Sequence, residues 1–152
     1  MKRGILTLIA ISLMVTPLFA GQEKSIGLSL AQIQAQRKHI IEQTVAPSPQ
    51  QSEAFWKNYW EYRGKVGVLN DRLVAVIKEY ADSHAALNDD QAEKMVRELL
   101  DIDEERAKLK QEYIKIFQKI LIPKQVVRWY QSEVKMDAVF RADAALSIPF
   151  DG

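Results

Sequence analysis

Phe55, Tyr59, Tyr62, Val66, Leu69, Leu73, Val76 and Tyr80 follow one another at alternating spacings of four and three residues. Apolar positions recurring about every 3.5 residues draw a straight seam along a helix, as in coiled coils and long antiparallel hairpins. The pattern predicts a helix from Pro49 to about Asp82. A second series keeps nearly the same rhythm from Asp89 to about Leu121: Ala92, Val96, Leu99, Ile102, Arg106, Leu109, Tyr113, Ile116 and Ile120. Arg106 is its polar intruder. Joined by the short stretch Ser83–Asn88, the two helices are expected to lie antiparallel over about 50 Å, at 1.5 Å per residue.

A hairpin that long is too thin to bury much on its own. A helix near Ser29–Gln43 and another after Pro123, or a second protomer, must cover it. The expected fold is therefore all-α: a long antiparallel helical hairpin covered by N- and C-terminal helices, in one elongated bundle over 28–150. No run alternates with period two over enough residues to suggest a strand. The outer faces pair opposite charges four residues apart, as in Glu53 with Lys57, Glu61 with Lys65, Glu93 with Arg97 and Glu104 with Lys108. Such pairs are a solvated surface, each adding about 0.2–0.5 kcal/mol to its helix.

The first twenty residues stand apart from this pattern. Lys2 and Arg3 precede the apolar run Ile5–Val15, Pro17 interrupts it, and Leu18-Phe19-Ala20 offers a cleavage site. That is the layout of a bacterial secretory signal; an uncleaved anchor is the alternative. Residues 21–27 form a polar leader. Without Lys2 and Arg3, 19 basic residues face 20 acidic ones, so no charge surplus points to nucleic acid. Cysteine is absent, which excludes disulfides and thiol chemistry in the periplasm to which the signal directs the chain.

The helix starts share a form. In Leu87-Asn88-Asp89-Asp90-Gln91, Asn88 can accept from a backbone N–H at the start of the helix. Gln91 can reach back to the Asn88 N–H, closing a capping box. Leu28-Ser29-Leu30-Ala31-Gln32 repeats the form, Ser48-Pro49-Gln50-Gln51 repeats its cap and glutamine, and Leu121-Ile122-Pro123-Lys124-Gln125 keeps Leu and Gln with Ile at the cap. Leu-(Ser/Thr/Asn)-x-x-Gln at helix starts, in a small, cysteine-free, helical chain with a signal, resembles the LTXXQ-motif proteins, the Spy/CpxP family of periplasmic stress proteins. The segment from Pro123 to Phe150 resembles the C-terminal part of an uncharacterised branch. The resemblance implies curved helical hairpins, often dimeric, that bind unfolding clients without ATP or serve as adaptors for envelope stress sensors.

Chemistry of other kinds finds little footing. Neither His39 nor His84 has the Glu-x-x-His spacing of di-iron bundles, and no His-Glu-x-x-His or glycine-rich phosphate loop occurs. Glu98, Asp101 and Glu105 share a helix face, which reads as a solvated acidic stripe. No cofactor, metal or small-molecule substrate is expected.

Two surfaces are candidates for binding polypeptide. Opposite the first seam, Trp60, Gly64, Gly67 and Val74 share a face. Glycine inside a helix costs about 1 kcal/mol relative to alanine, so a close neighbour is expected there, either another helix of this chain or a partner. Arg128 and Trp129 adjoin on the last helix and are residue types common at interface hot spots, though packing and solvation account for them as well. Val126, Trp129, Glu133, Met136, Phe140 and Ala144 form an apolar stripe with Glu133 inside it. Glu133 and Arg106 are thus expected in structural polar contacts, with each other as one pairing. The expected function is a non-enzymatic periplasmic stress protein that holds unfolded or envelope polypeptides on a helical surface. The alternative is a structural or regulatory module that assembles with itself or with an envelope sensor.

Overall fold

The computed structural model describes residues 30–149. The signal-like stretch 1–20, the leader 21–27, the helix start at Leu28 and Ser29, and Phe150 lie outside the described residues. Four helices occupy nearly all of the described chain: α1 (Leu30–Val45), α2 (Pro49–Ser83), α3 (Asp89–Phe117) and α4 (Pro123–Ala145). A 3-10 turn, His84–Ala86, links α2 to α3. No strand forms among the described residues, and no helix among them is long and apolar enough to cross a membrane. The fold is an all-α bundle.

The helices associate as two close pairs, α2 with α3 and α1 with α4. Contacts across α2 and α3 advance along one helix as they retreat along the other. Phe55 meets Phe117, Tyr62 meets Tyr113, and Arg72 reaches Glu98 and Glu105. The long pair is thus antiparallel, as its twin seams require. α4 runs parallel to α2, with Gln51 beside Gln125 and Tyr59 beside Glu133. An aromatic layer fills the space between the pairs. Phe55, Tyr59, Tyr62, Tyr113, Phe117 and Trp129 are all fully buried, and the Trp129 ring lies 4.6 Å from that of Phe117.

Length sets the shape. α2 has 35 residues and α1 only 16, so at 1.5 Å per residue α1 covers about half of the long helix. The end where α2 and α4 begin, called proximal here, is therefore a packed four-helix bundle. The distal end, around the α2–α3 turn, is a hairpin flanked only by the last turns of α4 and the segment after it. The continuous core stops at Leu73 and Ile102.

The α2 seam is buried from Phe55 to Val76, with Tyr80 half-exposed. The α3 seam departs from expectation at both ends. Met95 and Phe117 point inward, whereas Val96 is 56% exposed and Ile116 only half-buried. A helix of 3.6 residues per turn drifts against a 3.5 spacing, and over four or five turns the drift hands the inward position to a neighbour. α3 also ends at Phe117 rather than near Leu121. A turn of 118–121 follows, closed by the Leu121 N–H donating to the Phe117 carbonyl at 2.7 Å. That turn folds buried Leu121 inward and lets Pro123 open α4 at its favoured first position.

The helix starts show what their glutamines do. Asn88 makes the full capping box: its side chain accepts from the Gln91 N–H at 2.9 Å, and its own N–H donates to Gln91 Oε1 at 3.2 Å. Ser48 and Ile122 keep only the glutamine half, donating their N–H groups to Gln51 Oε1 at 2.8 Å and Gln125 Oε1 at 3.1 Å. Each of these carbonyl oxygens accepts a second bond from the other glutamine: the two amides pair reciprocally, each NH2 donating to the other's Oε1 at 3.2 Å. Gln125 also donates to the Ala46 carbonyl at 2.9 Å, beside the left-handed Ala46 that turns α1 into α2. Three segments are tied at the proximal end by two side chains.

Candidate functional site

Buried charge sits in two places, and each is paired. Glu133 is wholly inaccessible at the centre of the proximal core. Its carboxylate accepts from Tyr59 Oη at 2.8 Å and Arg63 at 2.9 Å, with Arg37 at 3.4 Å. A buried carboxylate without such partners would be strongly destabilising. The three donors come from α1 and α2, so the cluster ties both to α4. Burial, reinforced by the Glu133 charge, raises the Tyr59 phenol above its ordinary pKa. Arg106 does not reach Glu133. It donates to Asn70 at 2.8 Å and faces Asp137 at 3.8 Å, while Lys110 lies 2.8 Å from the same carboxylate. Burial lowers the Arg106 pKa, and the Asp137 charge opposes that shift. Both intruders of the two stripes are structural polar contacts, with partners other than each other.

The face of α2 behind its seam is open. Trp60 is 46% exposed and Val74 48% exposed. A Cβ added at Gly64 or Gly67 would meet nothing within 4 Å among the described residues. The close approach expected from another helix of this chain does not occur: α1 packs against α4 rather than along this face of α2. Trp60 instead stacks on Trp56 at 5.7 Å, and the Lys38 ammonium sits over the Trp56 ring.

Arg128 and Trp129 part company. Arg128 is exposed, whereas Trp129 is completely buried against Tyr62 and Phe117, so the pair forms no joint surface. The acidic stripe on α3 is also accounted for: Glu98 and Glu105 converge on Arg72, each at 2.8 Å. Among the described residues no group of three or more His, Cys, Asp or Glu side chains could hold a metal ion.

An open apolar surface lies at the distal end. Val76, Ile77 and Tyr80 of α2, Leu87 of the turn and Ala92, Met95, Val96 and Leu99 of α3 line a cleft of about 260 Å³, joined by Ile148 from beyond α4. Its wall is almost entirely apolar. Val96 and Leu99 are exposed, and Leu100 beside them is 63% exposed. The sequence reading placed Val76, Tyr80, Val96 and Leu99 on the seams but did not see them as a surface. The available signal was Leu100, an apolar residue off the seam and four positions from Val96. A second groove, of about 550 Å³ between α3 and α4, is lined by Arg106, Lys110, Arg141, Asp103 and Asp137. Its charges are largely spent on each other, with Arg141 paired to Asp103.

No family model, curated protein or solved structure matches the chain.

Proposed function

We propose that this is a non-enzymatic, ATP-independent binder of unfolded or partner polypeptides, working in the periplasm and holding apolar side chains in the distal cleft. The observation that carries the reading is the contrast in packing. The proximal half closes its aromatic core completely, while the distal half leaves Val96, Leu99 and Leu100 uncovered around an apolar cleft. Contiguous apolar surface of this kind is the usual mark of an interaction site. The resemblance of the helix starts to the LTXXQ-motif proteins supports the same direction, and the signal-like N-terminus supports the compartment. Light scattering of an aggregating model protein provides the test. Stoichiometric amounts of the chain should suppress the signal, and Leu99→Asp should lose that suppression while melting at the same temperature. No suppression by the unsubstituted chain sinks the proposal.

One observation favours the second reading, an assembly module. The open strip over Gly64 and Gly67 would admit a helix backbone at close range. Analytical ultracentrifugation separates the two readings, since a strict monomer at high concentration speaks against self-assembly through that strip.

A further inference from the structure

The charged groove between α3 and α4 continues into an uncharged one. α3 packs on α2 and α4 on α1, so α3 and α4 face each other across a trough instead of closing together. Its distal half is the groove of about 550 Å³ that holds Arg106, Lys110 and Arg141. Its proximal half, about 590 Å³, is lined by Leu121, Pro123, Val126 and Val127 with two glutamine amides and no charged residue. Ile114 and Tyr130 line both halves and join them. The trough is thus basic at one end and apolar at the other. Along α4, about 21 Å separates Arg141 from Val127, at 1.5 Å per residue.

Donors outnumber acceptors at the basic end. Three cations face two carboxylates, Asp103 and Asp137. Asp137 holds Lys110 at 2.8 Å and faces Arg106 at 3.8 Å, while Arg141 pairs with Asp103. An ammonium carries three N–H groups and a guanidinium five, so Lys110 and Arg141 keep donors beyond those pairs. They stand on opposite walls, with side chains 16% and 41% exposed, so solvent reaches both. Burial, and less strongly the Arg141 charge, lower the Arg106 pKa; an added anion relieves the second of these.

We propose that the trough binds a single-chain amphiphile with one anionic head, a long-chain carboxylate. The head lies between Lys110 and Arg141, and the chain runs past Ile114 and Tyr130 to Val127. This site shares no lining residue with the distal cleft and does not depend on the client reading. A polypeptide fits it less well. The helices use their backbone groups in their own ladders, and the apolar half offers only the Gln118 and Gln131 amides. An extended peptide would bring an N–H and a C=O per residue onto that floor, each costly to leave unpaired. A hydrocarbon chain brings none.

The test titrates the full chain with a dansyl-labelled undecanoic acid, kept below its micellar concentration, and follows dansyl fluorescence. The unsubstituted chain should saturate at one probe per molecule. Arg141→Glu should weaken binding about tenfold, and so should the methyl ester of the probe, since each removes charge-assisted hydrogen bonds. Val127→Asp, at a position 59% exposed, should weaken it as much by setting a charge against the chain. Both variants should keep the melting temperature of the unsubstituted protein, and Leu99→Asp in the distal cleft should bind the probe normally. No saturable binding overturns the assignment. Equal binding of acid and ester, with Arg141→Glu unchanged, overturns the basic end. A loss in Leu99→Asp but not in Val127→Asp places the probe in the distal cleft and overturns the trough. Displacement by a capped apolar peptide as readily as by unlabelled dodecanoic acid assigns the trough to polypeptide instead.

Discussion

The two ends of the bundle solve the same packing problem with different means. At the proximal end, four helices enclose six aromatic rings, a buried carboxylate with three donors and a reciprocal amide pair. At the distal end, two helices and a short segment enclose aliphatic side chains, and the polar link between the helices is the half-exposed Arg72 with Glu98 and Glu105. Burial of rings and satisfied polar groups specifies one arrangement, because each hydrogen bond lost inside would leave an unpaired group. Aliphatic contact at a partly open cleft specifies much less. Specific polar contacts thus close the end where the helices gather, and the cleft proposed to bind polypeptide lies at the opposite end.

Glu133→Ala should have the largest effect. It strands the Arg37 and Arg63 guanidiniums at 11% and 15% side-chain exposure, and breaking a buried pair in this way costs about 3–5 kcal/mol. Urea unfolding measures it. A loss below 1 kcal/mol, about the level of an exposed pair, would erase the distinction between the two ends.

The paired tyrosines give a finer probe. Tyr59→Phe removes the hydrogen bond to Glu133 and should cost about 1.5–3 kcal/mol at neutral pH. Tyr62→Phe should be neutral or slightly stabilising, because the Tyr62 hydroxyl is buried without a partner. Both phenols are raised by burial, so in alkali the unfolded chain releases its protons first. Stability contributed by these groups is complete below about pH 10 and falls as pH rises beyond it. Each phenylalanine should flatten that decline in thermal melts recorded between neutral and alkaline pH.

The smallest effect has the opposite sign. Gly64→Ala and Gly67→Ala should each stabilise the chain by up to about 1 kcal/mol, since the new methyl meets open space in a helix interior. Thermal melting checks this. If the strip serves a partner backbone, the same variants will weaken assembly while raising the melting temperature.

Much of the fold is local, and that part was legible in the sequence. The α2 seam, the Asn88 capping box and the break before Pro123 depend on neighbours within a few residues, so spacing and cap chemistry reveal them. Glu133 and Arg106 were recognisable as anomalies, but their partners come from other helices and depend on how those helices are rotated. Trp129 had a place both in the apolar stripe with Glu133 and in a candidate surface with Arg128; adjacent positions on a helix point about 100° apart, and the packing turns Trp129 inward and Arg128 outward. The open glycine strip and the distal cleft were illegible because both depend on where α1 docks: it packs on α4 and so leaves the strip uncovered, and it stops short of the distal end.

Tyr59 and Glu133 stand the same eight residues beyond Gln51 and Gln125 as one another, on two helices that run in the same direction. The amide pair therefore acts as the zero mark of a ruler, and the carboxylate is read at a fixed distance from it. Inserting a single residue between Val126 and Ser132 would leave the zero mark in place and turn Glu133 by about 100°, away from all three of its donors. In this stretch of α4 the spacing is information in its own right: the outward-facing Val127 and Arg128 can be exchanged more freely than the count of residues can be altered.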